Sequence, residues 1–303
     1  MSRVLATGGA GFIGSRVVAK LLEHGYEVDV VDDFSTGDLD NLPTNPRLRV
    51  FRHDITDASG LEDMVAGVEA VLHLAAIPTV PECEKNVKRA FEVNVKGVEN
   101  IAKACANTGV RRIVFFSSAA VYSASGVVGE ESPVKPQSVY GYTKLVAEEM
   151  LRCLNEQKGI DTTVLRIFNV YGRRKPGKGS LGVVDQFIAD ALSTGCLKIY
   201  GDGEQVRDFI HVDDVAEAVL KAVEMAGRGH RVYNIGSGEG VSIAELAQIV
   251  QQSVGTRKIN VVHLPPRPKD IKHSVADVSK AARELGFRPR LNLKTYVQQR
   301  AGG

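Results

Sequence analysis

The sequence VLATGGAGFIG at residues 4–14 joins an apolar run to a glycine-rich turn and the start of an amphipathic segment. Residues 4–7 are predicted to form a strand, and residues 12–24, which end before Gly25, a helix. Glycines between a strand and a helix permit positive φ angles and let bare backbone approach a pyrophosphate. The helix N-terminus adds N–H donors and a partial positive charge. This stretch therefore predicts a dinucleotide site.

Strand-like and helix-like segments alternate beyond this turn. Apolar, β-branched runs lie at residues 27–31, 48–51, 70–74, 111–116 and 162–167, and helical patterns at residues 60–66, 83–107 and 138–156. This rhythm predicts an α/β fold with a doubly wound parallel sheet of the Rossmann type and a smaller C-terminal substrate-binding lobe. We assign residues 1–172 to the dinucleotide-binding domain, with a later return near 204–226, and residues 173–303 mainly to the lobe. Residues 173–182, rich in Lys, Arg, Gly and Pro, are expected to form a mobile loop.

An acidic pair strengthens the dinucleotide prediction. Gly9, Gly11 and Gly14 satisfy the GxGxxG spacing, and Asp32 follows Gly14 at the end of the second predicted strand. A carboxylate there can accept hydrogen bonds from the adenosine ribose. It also repels a 2′-phosphate, and no arginine sits beside it, so NAD is favoured over NADP. Asp33 is either a second cofactor contact or a solvated turn residue.

Composition excludes several classes of protein. The net charge of +2 is too small to indicate nucleic acid or an anionic membrane as a partner. We find no apolar run of the ~18 residues that a membrane span needs and no secretory leader. The four scattered cysteines and seven histidines show no metal-ligand spacing, so free thiols in the cytoplasm and no metal site are expected. His73, on an apolar strand, is expected to be a hydrogen-bonded core residue.

Tyr140 and Lys144 are the candidate acid–base pair. They are four residues apart on a predicted helix and therefore share one face. An ammonium nearby favours the phenolate and lowers the pKa of the phenol, so the pair could move a hydroxyl proton. Ser117 and Ser118 follow a predicted parallel strand at the edge where ligands bind in such sheets. The alternatives are a surface pair for the tyrosine and lysine and a capping role for the serines.

The sequence resembles the extended short-chain dehydrogenase/reductase family and, within it, the UDP-hexose 4-epimerases. The resemblance runs over nearly the whole chain. Its motifs are TGGAGFIG at residues 7–14, HLAA at 73–76, VNVKG around Asn94, SSAAVY at 117–122, YGYTK at 140–144, RIFNVYG at 166–172 and RDFIHVDD at 207–214.

The resemblance implies roles for individual residues. Ser118, Tyr140 and Lys144 match the family's catalytic trio. Together with the glycine turn, the expected cofactor contacts are Gly8, Gly11, Phe12, Ile13, Gly14, Asp32, Asp33, Asp54, Ile55, Leu74, Ala75, Ala76, Asn94, Ser117, Tyr140, Lys144 and Phe168. The expected substrate contacts are Ser118, Asn169, Arg207, Arg267, Asp270 and Ser274. A homodimer formed through residues 83–107 and 138–156 is also implied.

The expected activity is NAD-dependent inversion at C4 of a UDP-hexose through a transient 4-keto sugar. Dehydratases of the family carry an acidic pair after the serine, whereas Ala119 and Ala120 stand here, so 4,6-dehydration is not expected. Residues 267–270 resemble the family's RxGD motif, but Lys269 stands where that motif has glycine. Ser274 is small where a bulky residue would exclude N-acetyl groups, so UDP-GlcNAc and UDP-GalNAc are expected to fit.

Three alternatives remain open at this point. A UDP-glucuronate epimerase or decarboxylase would use the same trio. A net oxidoreductase would consume or release free nicotinamide cofactor. A non-catalytic dinucleotide-binding regulator would not need the Tyr140–Lys144 pair.

Overall fold

The computed structural model describes residues 2–123, 125–173, 181–225, 229–255, 258–267 and 270–301. Its first part alternates short strands with helices, as the apolar periodicity predicts. The elements are β1 (Arg3–Thr7), α1 (Phe12–Glu23), β2 (Glu27–Asp32), β3 (Leu48–Arg52), α2 (Leu61–Val65) and β4 (Ala70–His73). The observed ends of these elements coincide with the predicted ones or differ from them by one residue.

The central sheet is parallel throughout. Its further strands are β5 (Arg112–Ser118), β7 (Asp161–Ile167) and β11 (His230–Ile235). Within the described residues the order is β11-β7-β5-β4-β1-β2-β3. Strands β2 and β3 are added on one side of β1 and the later strands on its other side, so the order of strand addition reverses beside β1. Apolar clusters cover both faces of the sheet. This arrangement confirms the predicted Rossmann fold, and it places the carboxyl ends of β1, β4 and β5 at one edge.

The predicted single helix over residues 83–107 is wrong. The structure divides this region into α3 (Val80–Lys85), α4 (Val87–Phe91), a π-helical turn at Glu92–Lys96, and α5 (Gly97–Thr108). Asn86 leaves helical geometry, and its side chain accepts a hydrogen bond from the backbone N–H of Arg89 at the start of α4. An asparagine that caps the following helix ends the preceding one. The π-helical turn then carries Asn94.

Helix α6 (Val139–Lys158) agrees with the prediction for residues 138–156. The Ser138 side chain accepts from the N–H of Gly141 and so caps the first turn. At the other end Gly159 adopts a φ of 65°, which stops the helix. The helix packs on β5 and β7, so its first turns lie near the carboxyl end of β5.

The later part of the chain forms a second, smaller layer. Its elements are β8 (Asn169–Tyr171), α7 (Val183–Ser193), β9 (Cys196–Tyr200), β10 (Val206–His211), β12 (Gly240–Ser242), α9 (Ile243–Ser253), β13 (Asn260–Leu264), β14 (His273–Ala276) and α10 (Leu293–Ala301), and helix α8 (Val212–Glu224) lies between β10 and β12 in the chain. A strand from the first half, β6 (Gly126–Val128), joins β14 in the order β12-β10-β14-β6. This layer has its own core cluster on α7, α9 and α10.

Two elements from the later part of the chain pack on the first layer. Helix α8 packs against α1, inside the predicted segment 204–226. Strand β11 pairs with β7 at the edge of the main sheet and lies beyond that segment. Most of the predicted loop at residues 173–182 lies outside the described residues. Within the described parts of the chain, no helix is long and apolar enough to cross a bilayer.

Candidate active site

The glycine turn between β1 and α1 has the geometry that its sequence predicts. Gly8 has a φ of 67°, and its N–H donates to the carbonyl of Val31 over 2.8 Å. A Cβ on Gly8 would lie 2.7 Å from the backbone nitrogen of Ala75, and one on Gly14 would overlap the carbonyl oxygen of Gly8. Gly11 starts α1 without a side chain over its first turn. Bare backbone at a helix N-terminus fits the pyrophosphate of a dinucleotide.

Asp32 at the end of β2 is buried, with 6% of its surface exposed. Its carboxylate oxygens accept from the N–H groups of Ala10 and Phe34, each over 2.9 Å. Burial raises the pKa of Asp32, against the effect of these two hydrogen bonds. Each carboxylate oxygen has a second lone pair, so the group can still accept from a ribose hydroxyl. Phe34 has a φ of 59°, an uncommon conformation for a bulky residue and one that clusters at ligand sites.

Asp33 and Asp54 form local contacts. The carboxylate of Asp33 accepts from the N–H and the hydroxyl of Ser35, which matches the turn role left open above. Arg89 donates to Asp54 over 2.8 Å. Burial disfavours the charged form of Asp54, but the Thr56 N–H and Arg89 outweigh it, so its pKa is lowered. Asp54 therefore remains ionised beside the predicted cofactor site.

Asn94 links two elements of the predicted cofactor site. It is 1% exposed, and its side-chain oxygen accepts from the N–H of Ile77 over 2.7 Å. Its amide donates to Thr143 of α6 over 3.0 Å. The π-helical turn thus fastens the loop after β4, where Leu74, Ala75 and Ala76 lie, to the helix that carries Tyr140. π-Helical turns are frequent at functional sites.

Three other predicted cofactor residues have side chains engaged within the protein. Ile55 is buried against Gly97, and Phe168, 5% exposed, packs in a cluster with Tyr122. The Ser117 hydroxyl donates to Glu148. Cofactor contact stays a prediction for all three, and for Ser117 the hydroxyl already has a partner.

Ser118, Tyr140 and Lys144 are brought together at the carboxyl end of β5. The Ser118 side chain faces the hydroxyl of Tyr140 and acts to lower the pKa of that phenol. The Lys144 Nζ lies 5.9 Å from the centroid of the Tyr140 ring and donates to the carbonyl of Phe116 over 2.8 Å. The Ser118 Oγ also accepts from the N–H of Ala120, as the capping alternative predicts. The serine therefore caps a turn and faces the tyrosine at the same time.

The electrostatics of the pair differ from the expectation. Burial raises the pKa of Tyr140 to about 12, although the Ser118 hydrogen bond acts to lower it. Burial also lowers the pKa of Lys144 to about 8. The expectation that the lysine makes the phenol acidic is therefore wrong for the protein without a dinucleotide, because desolvation outweighs the effect of Ser118. A further positive charge in the cleft would favour the phenolate.

Three of the predicted substrate residues, Arg207, Asp270 and Ser274, lie at or beside the row where β10, β14 and β6 meet. Arg207 lies opposite Ser274, and Ser274 lies opposite Gly126. Arg207 forms an ion pair with Asp270. Burial lowers the pKa of Arg207, and Arg267 adds to this effect.

Two guanidinium groups close to one another suit a diphosphate. The Arg267 guanidinium lies 4.3 Å from the centroid of the Tyr200 ring. The Asn169 amide donates to the carbonyl of Asp208 over 2.9 Å, which ties β8 to β10 within this layer. Lys269, which replaces the glycine of the RxGD-like motif, lies outside the described residues.

Sequence reasoning missed a buried polar network behind the trio. Glu148 and Arg166 form an ion pair over 2.7 Å, with side chains 3% and 7% exposed. Arg166 also donates to the hydroxyl of Tyr122 over 2.9 Å, and Tyr122 donates to Asn234 over 2.7 Å. Two signals could have found the pair. Glu148 follows Lys144 by one helical turn, and Arg166 interrupts an apolar strand.

His73 is a neutral core residue, as expected. Its Nδ1 lies 2.9 Å from the hydroxyl oxygen of Thr7, and its ring stacks on Phe115. Burial lowers its pKa to about 3.

Comparison with known proteins gives consistent matches over the whole chain. The model of the NAD-dependent epimerase/dehydratase family matches residues 4–236. A UDP-glucose 4-epimerase of Mycolicibacterium smegmatis is 35% identical over 96% of this chain and 95% of its own. The crystal structure of the UDP-glucose 4-epimerase of Thermotoga maritima, solved with UDP-glucose, superposes with a TM-score of 0.91 at 35% identity. It covers 99% of this chain and 97% of that one.

Other matches carry the cofactor or act on other sugars. The UDP-glucose 4-epimerase of Thermus thermophilus, solved with NAD, has a TM-score of 0.89 at 34% identity and covers 99% of this chain and 97% of that one. A UDP-N-acetylglucosamine 4-epimerase of Methanobrevibacter ruminantium, in complex with UDP-N-acetylmuramic acid, has a TM-score of 0.90 at 32% identity and covers 99% and 96%. UDP-glucuronic acid decarboxylase 1 of Arabidopsis thaliana is 30% identical over 96% of this chain and 67% of its own length.

Proposed function

This chain belongs to the NAD-dependent epimerase/dehydratase family, and we propose that it inverts C4 of a UDP-hexose, UDP-glucose and UDP-galactose in the first place. One observation carries the proposal: Tyr140 stands beside both Ser118 and Lys144 at the strand edge next to the glycine turn. We assign residues 1–172, with the later return, to NAD binding. The remainder is assigned mainly to the nucleotide sugar.

The proposed reaction begins with a proton transfer at the sugar. Tyr140, with Ser118 bridging to the sugar oxygen, takes the proton of the C4 hydroxyl. NAD, when bound, supplies a reversible hydride acceptor, and its positively charged ring favours the phenolate. Arg207 and Arg267 hold the diphosphate while the 4-keto sugar turns its other face. Tyr140 then returns its proton to the sugar oxygen while C4 takes back the hydride on its other face, so no cofactor is consumed.

N-acetylated sugars are included in the proposal. Ser274 is small and half-buried. A Cβ placed on its row neighbour Gly126 would have no atom of the described residues within 4 Å. Space beside C2 of the sugar would admit an N-acetyl group. The similarity to a UDP-N-acetylglucosamine 4-epimerase supports this step.

A uronate substrate is the second candidate function. The favouring observation is the similarity to a UDP-glucuronic acid decarboxylase. A decarboxylase would share the oxidation at C4 and the same trio. By contrast, Ala119 and Ala120 follow Ser118 and provide no acid to expel water, so 4,6-dehydration is not proposed.

We also propose a homodimer. Exposed apolar side chains lie on helices that pack together, namely Val80 on α3, Val87 and Phe91 on α4, and Tyr142 and Val146 on α6, each 38–49% exposed. An apolar surface of this kind is typical of subunit contacts.

The scattered free cysteines support a cytoplasmic location.

One experiment separates the candidates. The purified protein is incubated with UDP-glucose, UDP-galactose, their N-acetyl counterparts and UDP-glucuronate, without added cofactor, and the products are separated. Interconversion of C4 epimers without net NADH formation supports the proposal. Formation of UDP-xylose and carbon dioxide would indicate a decarboxylase. A requirement for stoichiometric NAD would indicate a dehydrogenase. Failure with every sugar would refute the enzymatic proposal.

A further inference from the structure

The buried ion pair of Glu148 and Arg166 lies directly behind the proposed acid–base pair. The carboxylate of Glu148 accepts from Arg166 and from the hydroxyl of Ser117. Burial of such a pair is costly unless hydrogen bonds satisfy its remaining polar atoms. No step of the proposed reaction uses these three side chains, so their burial needs another explanation.

The connections of Glu148 indicate which geometry it could control. It follows Lys144 by four residues on α6, so both side chains lie on one helical face. Its partner Ser117 stands between Phe116, whose carbonyl accepts the Lys144 ammonium, and Ser118, which faces Tyr140. The carboxylate thus fastens α6 to β5 within one residue of both functional contacts.

We propose that Glu148 is a positioning residue, which holds the Lys144 ammonium against the end of β5 and supplies the negative charge that keeps it protonated. This inference rests on the proposed function, since it concerns the same Tyr140–Lys144 site. Ser117 and Arg166 act through Glu148, the first by orienting one carboxylate oxygen and the second by balancing its buried charge.

The charged and titratable groups around Lys144 support this assignment. Burial lowers the pKa of Lys144 to about 8, against stabilisation of the ammonium by Cys83 and Glu148. Cys83 on α3 could contribute only as a thiolate, and burial raises its pKa to about 11, so it is neutral at neutral pH. His73 on β4 faces the same lysine and is also neutral.

The remaining neighbours are Tyr140 on α6 and Arg166 on β7. Burial raises the pKa of Tyr140 to about 12, so this phenol is neutral in the ligand-free protein. Arg166 is positive and lies beyond the carboxylate. Among the described groups that face Lys144, Glu148 is therefore the anion that opposes the loss of its proton.

The first test measures the lysine directly and needs no turnover. Protein labelled with ¹³C at lysine Cε is titrated by NMR, and the signal lost in Lys144→Arg identifies Lys144. Glu148→Gln is expected to lower the Lys144 midpoint by about one pH unit or more, because an opposing charge is removed. Glu149→Gln is the matched control: its carboxylate is one residue along, 55% exposed and paired with Arg152. The control should leave the midpoint unchanged.

The second test is kinetic and separates charge from geometry. In Glu148→Gln, kcat is expected to fall about tenfold at neutral pH, with KM within about twofold and the alkaline limb of the kcat profile moved to lower pH. Ser117→Ala removes one hydrogen bond and keeps the ion pair, so it should lower kcat with little change in the lysine midpoint. Should Glu148→Gln fail to fold, Ser117→Ala and the charge-retaining Glu148→Asp carry the test.

The outcomes distinguish this inference from the proposed function. If the wild-type protein turns over no UDP-sugar, the proposed function fails, while the NMR titration still tests the role of Glu148. If Glu148→Gln has the midpoint, kcat and pH profile of the wild type, Glu148 has only a structural role and the inference is overturned. If Glu148→Gln does not fold, a wild-type kcat in both Ser117→Ala and Glu148→Asp overturns the inference.

Discussion

Lys144 donates from Nζ to the carbonyl oxygen of Phe116 over 2.8 Å, two residues before Ser118 on the same strand. The ammonium is therefore anchored to the backbone of β5 rather than paired with a carboxylate. Its position relative to Tyr140 is fixed before any ligand enters. The site is thus arranged in advance, but its phenol is not yet acidic. Positioning of this kind is a large part of what an enzyme contributes to a proton transfer.

Replacing the phenol tests the central role of the site. Tyr140→Phe removes the group that moves the sugar proton, so kcat is expected to fall by a factor on the order of 10² or more. The NAD content of the purified protein should stay near that of the wild type, because the glycine turn is untouched. Tyr142→Phe is the control, since that ring is 49% exposed on the same helix. Near-wild-type turnover of Tyr140→Phe would refute the assignment.

The acidity of the same phenol should depend on the cofactor. Burial holds the pKa of Tyr140 at about 12 in the ligand-free protein, so its neutral form persists through neutral pH. A cation bound nearby stabilises the phenolate and must shift the pKa downward. We expect the tyrosinate absorbance that is lost in Tyr140→Phe to move to lower pH when NAD is added to NAD-free protein. An unchanged midpoint with NAD bound would place the cation away from the phenol.

Arg207 is expected to contribute to nucleotide binding rather than to chemistry. It is 16% exposed and paired with Asp270, and Arg267 lies near it. Arg207→Ala removes charge-assisted hydrogen bonds to the diphosphate, so the Kd for UDP should rise about tenfold or more. Calorimetric titration with UDP measures this without turnover. Arg283→Ala, which removes a 68% exposed guanidinium elsewhere, should bind as the wild type does; equal affinity in both variants would exclude Arg207 from the site.

The size of the residue at position 274 should select among the sugars. Ser274 lies opposite Gly126 in the sheet, and no atom of the described residues lies within 4 Å of a Cβ placed on Gly126. Ser274→Tyr would fill that space, and overpacking of this kind costs enough to lower kcat/KM for N-acetyl sugars about tenfold or more. UDP-glucose and UDP-galactose lack the N-acetyl group and should retain most of their turnover. Parallel loss on all four sugars would show that Ser274 does not line the C2 pocket.

Local patterns predicted most of the fold. Strand-length apolar runs, the glycine turn and the amphipathic segments indicated the succession of strands and helices along the chain, because each pattern is local to its element. The break at Asn86 was missed because it depends on a cap to the N–H of Arg89, which apolar periodicity does not show. The place of β11 beside β7 was missed because strand pairing across a long sequence separation leaves no local mark.

The proximity of the candidate residues was predictable and their energetics less so. The motifs placed Ser118, Tyr140 and Lys144 together, as the structure does, and their roles stay a prediction. The sign of the Tyr140 pKa shift was wrong, because desolvation depends on how much protein surrounds the phenol. The buried ion pair of Glu148 and Arg166 was missed because it joins helix α6 to strand β7. Motifs that are interpreted one at a time do not show a contact between two elements.

The packing of α6 against the turn that follows Ser118 makes a last prediction. An exposed helical glycine replaced by alanine usually gains about 1 kcal/mol. Gly141, however, lies next to Tyr140, and its Cβ would overlap the carbonyl oxygen of Ala120. Gly141→Ala must push the helix away from the turn, separating Tyr140 from Ser118, so we expect a lower melting temperature together with a loss of kcat. Gly129→Ala is the control, because its Cβ would lie 3.9 Å from a carboxylate oxygen of Asp277, an ordinary van der Waals contact. Greater stability with full activity in Gly141→Ala would show that the helix and the turn are not held in contact.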